Sequence, residues 1–392
     1  MVFDKYKVRS MNENLVLKEL ITSQPVSRAL LAKKTNLNKA TITEIISTLI
    51  DRKLVNEIGL GKSKEAGGRK PILLELNRNA GIALAFDLGN NYLNAIATDL
   101  NGEVIESFNQ KNLVVSSENI VSLIQSGVNK FKKLAKNKVY GIVGLTAAVH
   151  GVVFENHVTL SPNYNMMGAH LYDKLTNLFE FPIYMENEAN LAAIAHISYA
   201  TQLNDIAVLS IHTGIGAGII VNRELHTGTN GSAGELGHMI IQPNGLDCRC
   251  GRKGCFEQYC STQHIINMYQ SITNKKFKSL MEIKESYNNN KEVAKLIDDT
   301  CFYLAIGINN LISAYDPEVV FIISELAVII PNMVLETKKI LEKNFNRKIN
   351  IYISHPEFNA TLKGAAITAI NNFFSVNNLK LKSDSVKQYL EI

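Results

Sequence analysis

The segment GELGHMIIQPNGLDCRCGRKGCFE, residues 234–257, concentrates side chains that can bind a metal ion or a polar ligand. Its cysteines have the spacing Cys-x-Cys-x₄-Cys, and a histidine lies ten residues before the first of them. Zn²⁺ takes four thiolate or imidazole ligands tetrahedrally, and a site with four protein ligands has no open position for catalysis. The segment therefore predicts a structural zinc site with the ligands His238, Cys248, Cys250 and Cys255.

The alternative interpretation is a group of free core thiols beside a surface histidine. The glycine, arginine and lysine residues between the cysteines are poor core material, which favours the metal site. Glu235 lies three residues before His238, and Glu257 lies two residues after Cys255. A bound ion would therefore hold both carboxylates in one pocket, where they can bind the hydroxyl groups of a small molecule.

The composition is that of an ordinary globular protein. The 392 residues are 46% hydrophobic and 20% charged, which predicts roughly two to three domains. No apolar run approaches the ~18 residues that span a bilayer, and MVFDKYKVRS lacks a signal-peptide core. We expect a cytoplasmic protein without a membrane partner, in which clustered cysteines bind metal and the remaining two, Cys260 and Cys301, are buried thiols.

The charge is distributed unevenly along the chain. Residues 1–78 contain 15 Lys+Arg and 8 Asp+Glu, a net charge of +7, whereas the rest of the chain has a net charge of −2. A small basic region joined to a large, nearly neutral one is typical of a polyanion-binding module attached to a different kind of domain.

The basic region has the pattern of three short helices, over residues 12–20, 28–34 and 39–52, followed by strands at 54–57 and 71–76. This is the plan of a winged helix-turn-helix, whose third helix enters the major groove and whose wing reaches the minor groove or phosphates. A helical bundle with a solvated basic rim would use the same apolar positions, but the wing and the charge favour DNA binding. The residues expected to face DNA are Ser27, Arg28, Asn38, Lys39, Thr41, Thr43, Arg69 and Lys70.

From residue 81 onward the pattern is that of an α/β protein. The apolar strand GIALAFDLG ends at Asp87 and a glycine turn, Asn101-Gly102 marks a hairpin, and residues 118–134 have helical spacing. Residues 206–225 repeat the strand, glycine turn and strand, with TGIGAG as the turn. The repeat predicts two related lobes with a cleft between them, an actin-like (ribonuclease H-like) two-lobed ATPase fold.

These motifs together resemble the ROK family, which joins sugar kinases to sugar-responsive transcriptional repressors. The resemblance covers essentially the whole chain and implies a DNA-binding domain at 1–78 and a sugar-binding domain at 79–392. Within the latter it implies a small lobe of about 79–187 plus the C-terminal helix, and a large lobe of about 188–375. The motifs that carry the resemblance are GGRKP (67–71), DLG (87–89), SPN (161–163), ENEAN (186–190), TGIGAG (213–218), GELGH (234–238), CxCGxxGCxE (248–257) and GAA (364–366).

The resemblance also implies which residues bind the sugar. Glu188 stands where the kinases have their catalytic aspartate, so it is a vestigial base position. His238 would serve two roles through its two ring nitrogens, as a ligand of Zn²⁺ and as a partner of the sugar. The sugar-binding residues implied are Asn163, Asn187, Glu188, Glu235, His238 and Glu257.

Three parts of the kinase machinery are altered in this sequence. Glu188 replaces the aspartate and moves the carboxylate by about one methylene, a displacement that can cost ~100-fold in rate. The first phosphate loop reads Asp87-Leu88-Gly89-Asn90-Asn91, without the second glycine and the threonine of the kinases. Ile323-Ser324-Glu325-Leu326 replaces the glycine pair expected near adenosine. We therefore expect no ATP binding and no enzyme activity.

The sequence thus predicts a repressor of carbohydrate-utilisation genes that binds operator DNA and is released by a sugar effector. The layout is most similar to xylose-responsive members of the family, which favours xylose as the effector; glucose, N-acetylglucosamine or a phosphorylated sugar would use nearly the same pocket. The alternative is a ROK kinase that phosphorylates a hexose with ATP. Because two helix-turn-helix units must match two half-sites, we expect a homodimer or homotetramer.

Overall fold

The structure, a computed structural model, describes residues 5–61, 70–89, 91–160, 170–200, 202–381 and 389–390. We call its described residues 5–61 and 70–76 the head. The predicted helices and strands of the head are confirmed, but the first helix begins at Lys5 instead of Asn12; residues 7–11 are exposed, so they have no buried face from which the helix could be predicted. The elements are α1 (Lys5–Ser23), β1 (Val26–Ser27), α2 (Arg28–Thr35), α3 (Lys39–Asp51), β2 (Val55–Leu60) and β3 (Ile72–Leu76).

The helices of the head pack on a small antiparallel sheet with the strand order β1-β3-β2. Helix α3 is amphipathic, and it buries Ile42, Ile46 and Leu49 while Lys39 and Thr43 stay exposed. A turn of three residues separates α2 from α3, and its last residue, Asn38, caps α3 by accepting a hydrogen bond from the Thr41 backbone N–H. The head therefore presents one polar helix face beside a strand pair.

The next elements form the first lobe around a five-stranded sheet of order β10-β7-β4-β5-β6. Strands β10, β7 and β4 are parallel to one another, β5 runs antiparallel to β4, and β6 runs antiparallel to β5. The elements are β4 (Ile82–Leu88), β5 (Tyr92–Thr98), β6 (Val104–Lys111), α4 (Ile120–Ala135), β7 (Ile142–Val149), β8 (Val152–Phe154), β9 (His157–Leu160), α5 (Leu171–Leu178), β10 (Ile183–Asn187) and α6 (Glu188–Tyr199).

The second lobe contains a six-stranded sheet of order β13-β12-β11-β14-β15-β16, which repeats the strand order of the first and adds one edge strand. This repetition confirms the two related lobes predicted from the sequence. Its elements are β11 (Ile206–Ile211), β12 (Ile215–Val221), β13 (Glu224–Leu225), α7 (Glu257–Cys260), α8 (Thr262–Thr273), α9 (Leu280–Asn289), α10 (Lys291–Tyr315), β14 (Val319–Ile323), α11 (Glu325–Ile329), α12 (Asn332–Phe345), β15 (Asn350–Ser354), α13 (Ala360–Phe374) and β16 (Tyr389–Leu390).

Two buried helices cross between the lobes: α6 follows the first sheet in the chain but packs mainly on the second, and α13 follows the second sheet but packs on the first. Helix α6 packs on β11 and β12, and α13 packs on α6, β7 and β4. The last helix starts at Ala360, three residues before the predicted Lys363. Among the described residues, no helix is both long and apolar enough to cross a membrane.

Candidate functional site

The loop between β13 and α7 folds into a compact knuckle that brings the predicted metal ligands together. Single β-bridges join Ile240 to Cys255 and Asp247 to Lys253. At Gly254 φ is +79°, and a Cβ there would lie 1.7 Å from the carbonyl oxygen of Gln242, so this tight turn requires glycine. The ligand atoms of His238, Cys248, Cys250 and Cys255 all lie within 4.8 Å of one another.

The geometry of this cluster fits a tetrahedral metal ion. The Cys250 and Cys255 Sγ atoms are 3.6 Å apart, and so are Cys248 Sγ and His238 Nδ1. Zn–S bonds of about 2.3 Å in a tetrahedron give an S–S separation of about 3.8 Å, close to these distances. Although burial opposes ionisation of Cys250, hydrogen bonds from the Arg252 backbone and side chain lower the pKa of its thiol to about 6, whereas burial raises the pKa values of Cys248 and Cys255. The Cys₃His donor set is therefore suited to Zn²⁺.

The two ring nitrogens of His238 lie near different groups. Its Nδ1 faces the thiol cluster, and its Nε2 lies 3.8 Å from Glu235 Oε2. Glu257 Oε1 is 3.6 Å from Nδ1 and 3.2 Å from Cys248 Sγ, at the first residue of α7. The histidine thus lies between the thiols and the Glu235 carboxylate, and the double role predicted for it is geometrically possible.

The pocket beyond the knuckle is acidic. Burial, together with the charges of Glu257 and Glu188, raises the pKa of Glu235 despite the opposing effect of nearby His238. Three carboxylates from three different elements therefore lie within electrostatic range of one another. Their side chains are mostly buried, with 29% of Glu235 and 13% of Glu257 exposed. Hydrogen bonds from the hydroxyl groups of a neutral ligand that replaces water would stabilise such buried carboxylates.

The N-terminus of α6 supplies the next part of this pocket. Asn187 caps α6, because its Oδ1 accepts hydrogen bonds from the backbone N–H groups of Ala189 and Asn190. Its Nδ2 donates to the Gly151 carbonyl at 2.9 Å, so only its second N–H is available for a ligand. Glu188 is 6% exposed, and its Oε2 accepts a 3.0 Å hydrogen bond from Ser210 Oγ on β11.

The cleft also contains a polar cluster at the end of β4. Asp87 Oδ1 lies 3.0 Å from His150 Nε2, Asp87 Oδ2 accepts a 3.2 Å hydrogen bond from Tyr92 Oη, and Tyr92 Oη is 3.1 Å from His150 Nε2. Burial alone would lower the pKa of His150, but the hydrogen bond and charge of Asp87 and the charge of Glu188 raise it to about 9. The imidazole is therefore protonated at neutral pH and neutralises Asp87.

The side chain of Tyr92 also covers the first glycine loop. A Cβ at Gly89 would lie 2.1 Å from the Tyr92 ring, so the ring packs directly on the loop backbone. The His150 ring meets the His212 ring of the other lobe edge-on, with centroids 6.5 Å apart. These contacts place the side chains of Tyr92, His150 and His212 close together at the Gly89 side of the cleft.

The second glycine-rich motif, TGIGAG, was predicted to be the turn between two strands, but only Thr213 and Gly214 lie in the turn from β11 to β12, and the other four residues begin β12. A Cβ at Gly218 would lie 2.2 Å from the carbonyl oxygen of Ala189, so this glycine lets α6 approach the strand. Gly234 and Gly237 have the same role against β12, where a Cβ would lie about 2 Å from the carbonyl oxygens of Ala217 and Ile215. Packing alone thus accounts for these glycines, without a phosphate ligand.

The region expected near adenosine is filled with apolar side chains. Ser324 caps α11, and the Leu326 side chain is 1% exposed. A cavity of about 20 Å³ remains beside them, which has room for about one water molecule. It is lined by Ile211, Cys260, Thr262, Ile265, Thr300, Leu304, Ile322, Ser324, Leu326, Ala327, Met333 and Val334.

In the head, several predicted DNA-contacting residues already have partners within the protein. Ser27 Oγ caps α2 by accepting from the Leu30 N–H, and Arg28 forms a 2.9 Å ion pair with Glu57. The Thr43 hydroxyl donates to the Lys39 carbonyl. Lys39 and Thr43 are exposed, as are Asn38 and Lys70, whereas Thr41 is half-buried instead of lying fully on the exposed face.

Two predicted site residues, Asn163 and Arg69, lie outside the described residues. Three further polar residues of the cleft, His150, Tyr92 and Ser210, were not predicted from the sequence. His150 directly follows β7 and Tyr92 begins β5, so their positions at strand ends were the available signal. Their pairing with Asp87 depends on strand neighbours that the sequence pattern alone did not assign.

Two lobes with a repeated strand order, joined by α6 and α13, define an actin-like two-lobed fold. The ROK family model matches residues 83–372. Curated relatives include the xylose repressor of Bacillus subtilis, 31% identical over 353 residues and 89% of each chain. The xylose repressor of Staphylococcus xylosus is 31% identical over 94% of this chain and 97% of its own. The chain belongs to the ROK family.

Solved structures have the same fold. A ROK family transcriptional regulator, a homologue of the Escherichia coli MLC protein, matches 94% of this chain and 98% of its own with a TM-score of 0.77 at 21% identity. A ROK family glucokinase from Streptomyces griseus, in complex with glucose and AMPPNP, has a TM-score of 0.63 at 22% identity and matches 74% of this chain and 99% of its own.

Proposed function

We propose that the protein is a sugar-responsive transcriptional repressor, in which the head binds operator DNA and the zinc-braced pocket binds a sugar that releases it. The observation that carries the proposal is the contrast between the two sides of the cleft. The carboxylates Glu235, Glu257 and Glu188 converge on one side, whereas Asp87 on the other side is neutralised by His150 and covered by Tyr92. The pocket is thus arranged to bind a sugar but not to phosphorylate it.

The alternative, a ROK kinase acting on a hexose, requires space for the phosphates of ATP and a metal ion in front of the first glycine loop. Tyr92 packs against Gly89 of that loop, and Tyr92 and His150 are both hydrogen-bonded to Asp87. In the region expected near adenosine, Leu326 is buried and the cavity beside it measures only about 20 Å³. The longer Glu188 is moreover held by Ser210. These contacts support a repressor without ATP turnover.

Several further features belong to this proposal. The domain boundaries stay as predicted, with residues 1–78 as the DNA-binding unit and a homodimer or homotetramer as the assembly. Zn²⁺ at His238, Cys248, Cys250 and Cys255 is a structural ion, because protein groups supply all four ligands. Bound there, it fixes the loop that carries Glu235 and Glu257. The names of the curated relatives favour xylose as the sugar.

The proposal is tested by binding of the full chain to duplex DNA selected from a random-sequence library. Binding should weaken steeply with salt, because phosphate contacts release counterions. One of D-xylose, D-glucose and N-acetylglucosamine should weaken it at constant salt. If the purified chain instead consumes ATP in the presence of one of these sugars, and Glu188→Ala abolishes that consumption, the kinase alternative is correct.

A further inference from the structure

Helix α13 begins at the sugar side of the cleft. Thr361 Oγ1 lies 3.5 Å from the carbonyl oxygen of Glu188, in the first turn of α6. One turn further along α13, Gly364 touches α6 so closely that a Cβ there would lie 1.7 Å from the Leu191 carbonyl oxygen. A shift of the first turns of α6 must therefore be accompanied by a shift of α13.

The same helix ends at the head. The Phe373 ring packs edge-on against the Tyr140 ring with centroids 5.1 Å apart, and Tyr140 Oη donates a 2.9 Å hydrogen bond to the Arg52 carbonyl. Ser375 directly follows α13, and its carbonyl accepts a 2.8 Å hydrogen bond from Asn14 Nδ2 of α1. The C-terminal end of α13 is thus linked to the head at two places, to α1 through Ser375 and to Arg52, directly after α3, through Tyr140.

Between these ends α13 is well suited to transmit a displacement. It has 15 residues, about 22 Å of helix, and ten of these residues are buried. Its apolar residues Ile367, Ile370 and Phe374 belong to one continuous cluster with Leu20 and Ile46 of the head. Packed interiors are stiff, so they transmit a shift instead of absorbing it.

We infer that α13 couples the sugar pocket to the head, and that Tyr140 and Asn14 are positioning residues which set the head's orientation according to the state of the pocket. The inference rests on the proposed function and concerns its regulation. Sugar shifts the equilibrium only if it binds better to one arrangement of α6 and α13 than to the other. The coupling is reciprocal, so DNA bound to the head changes the sugar affinity by the same factor.

The test compares Tyr140→Phe, Asn14→Ala and the double variant with the wild-type full chain. The measured quantity is the coupling factor, the ratio of operator Kd values with and without saturating sugar. The sugar is whichever of D-xylose, D-glucose and N-acetylglucosamine changes wild-type affinity most. Asn372→Ala is the matched control, because Asn372 lies on the same helix, is exposed, and donates to Thr368 instead of to the head.

We expect the double variant to bind sugar alone with wild-type affinity while its coupling factor falls by about fivefold or more, and Asn372→Ala to keep the wild-type factor. Tyr140→Phe alone, which removes a single oxygen atom, should lower the factor even if the double variant is too unstable to measure. A wild-type coupling factor in the double variant and in Tyr140→Phe overturns the inference and leaves the proposed function intact. Wild-type chain whose operator affinity no sugar changes would contradict the proposed function itself.

Discussion

The pairing of Asp87 with His150 makes a prediction about pH that can be worked out from the structure. The pKa of His150 is raised from 6.5 to about 9 by Asp87 and Glu188, against the effect of burial. Because the pKa in the folded state is higher than in the unfolded state, the pair stabilises the fold fully below about pH 6.5. This stabilisation is lost as the pH rises through about 9.

The size of the effect follows from the same two values. A pKa difference between 6.5 and about 9 corresponds to about 3 kcal/mol. Because one-fifth of the His150 side chain is exposed, we expect about 2 kcal/mol in practice. The unfolding free energy of the wild-type chain should therefore decrease by about this amount between pH 6.5 and 9.5 because of the pair. The His150→Gln variant should lack this part of the decrease.

The assay is an NMR titration of the full chain carrying labelled histidine, with His150→Gln to assign the resonance and urea unfolding at each pH alongside. Asp87→Asn serves as the partner variant, and it should return the His150 pKa to 6.5 or below, since burial then acts without its counter-charge. A wild-type His150 that titrates near 6.5 would refute the reasoning. Asp87 would then be free to bind a cation, and the argument against phosphate transfer would lose its main support.

Three further predictions concern the zinc loop, the sugar pocket and the head. Cys250→Ser, or removal of metal by a chelator, should lower stability and abolish the sugar response while the variant still binds duplex DNA; a full sugar response by metal-free protein, measured as operator release, would contradict this. Glu235→Gln and Glu257→Gln should each weaken sugar binding by about 10- to 100-fold, because each loses a charge-assisted hydrogen bond; calorimetric titration that gives wild-type affinity for both would exclude these residues from the pocket. Lys39→Ala should weaken DNA binding for all sequences and reduce the slope of log K against log salt by about 1; an unchanged slope would place Lys39 away from the phosphates.

The metal cluster illustrates what the sequence could predict. All four ligands lie within eighteen residues, so the spacing was sufficient to bring them together, and the structure places their ligand atoms within 4.8 Å. The repeated strand, glycine turn and strand likewise predicted two lobes, because hydrophobic pattern and turn chemistry are local properties. Long local patterns of this kind need no knowledge of the tertiary arrangement.

The cluster at Asp87 could not be predicted in the same way. Tyr92 and His150 are 58 residues apart, and they meet only because β5 and β7 both pair with β4. The early start of α1 was missed for a related reason, since residues 7–11 are exposed and have no buried face to create a period. Glu188 was singled out from its motif, but its hydrogen bond to Ser210 depends on how α6 packs over β11.

The most direct test of the account is a titration of the full, metal-loaded chain bound to its selected operator duplex with D-xylose, D-glucose and N-acetylglucosamine, without ATP. The account predicts that one of these sugars lowers operator affinity at constant salt, and that Glu235→Gln shifts the response to higher sugar concentration. A chain that binds the sugar and the duplex independently, with no change in either affinity, would contradict it.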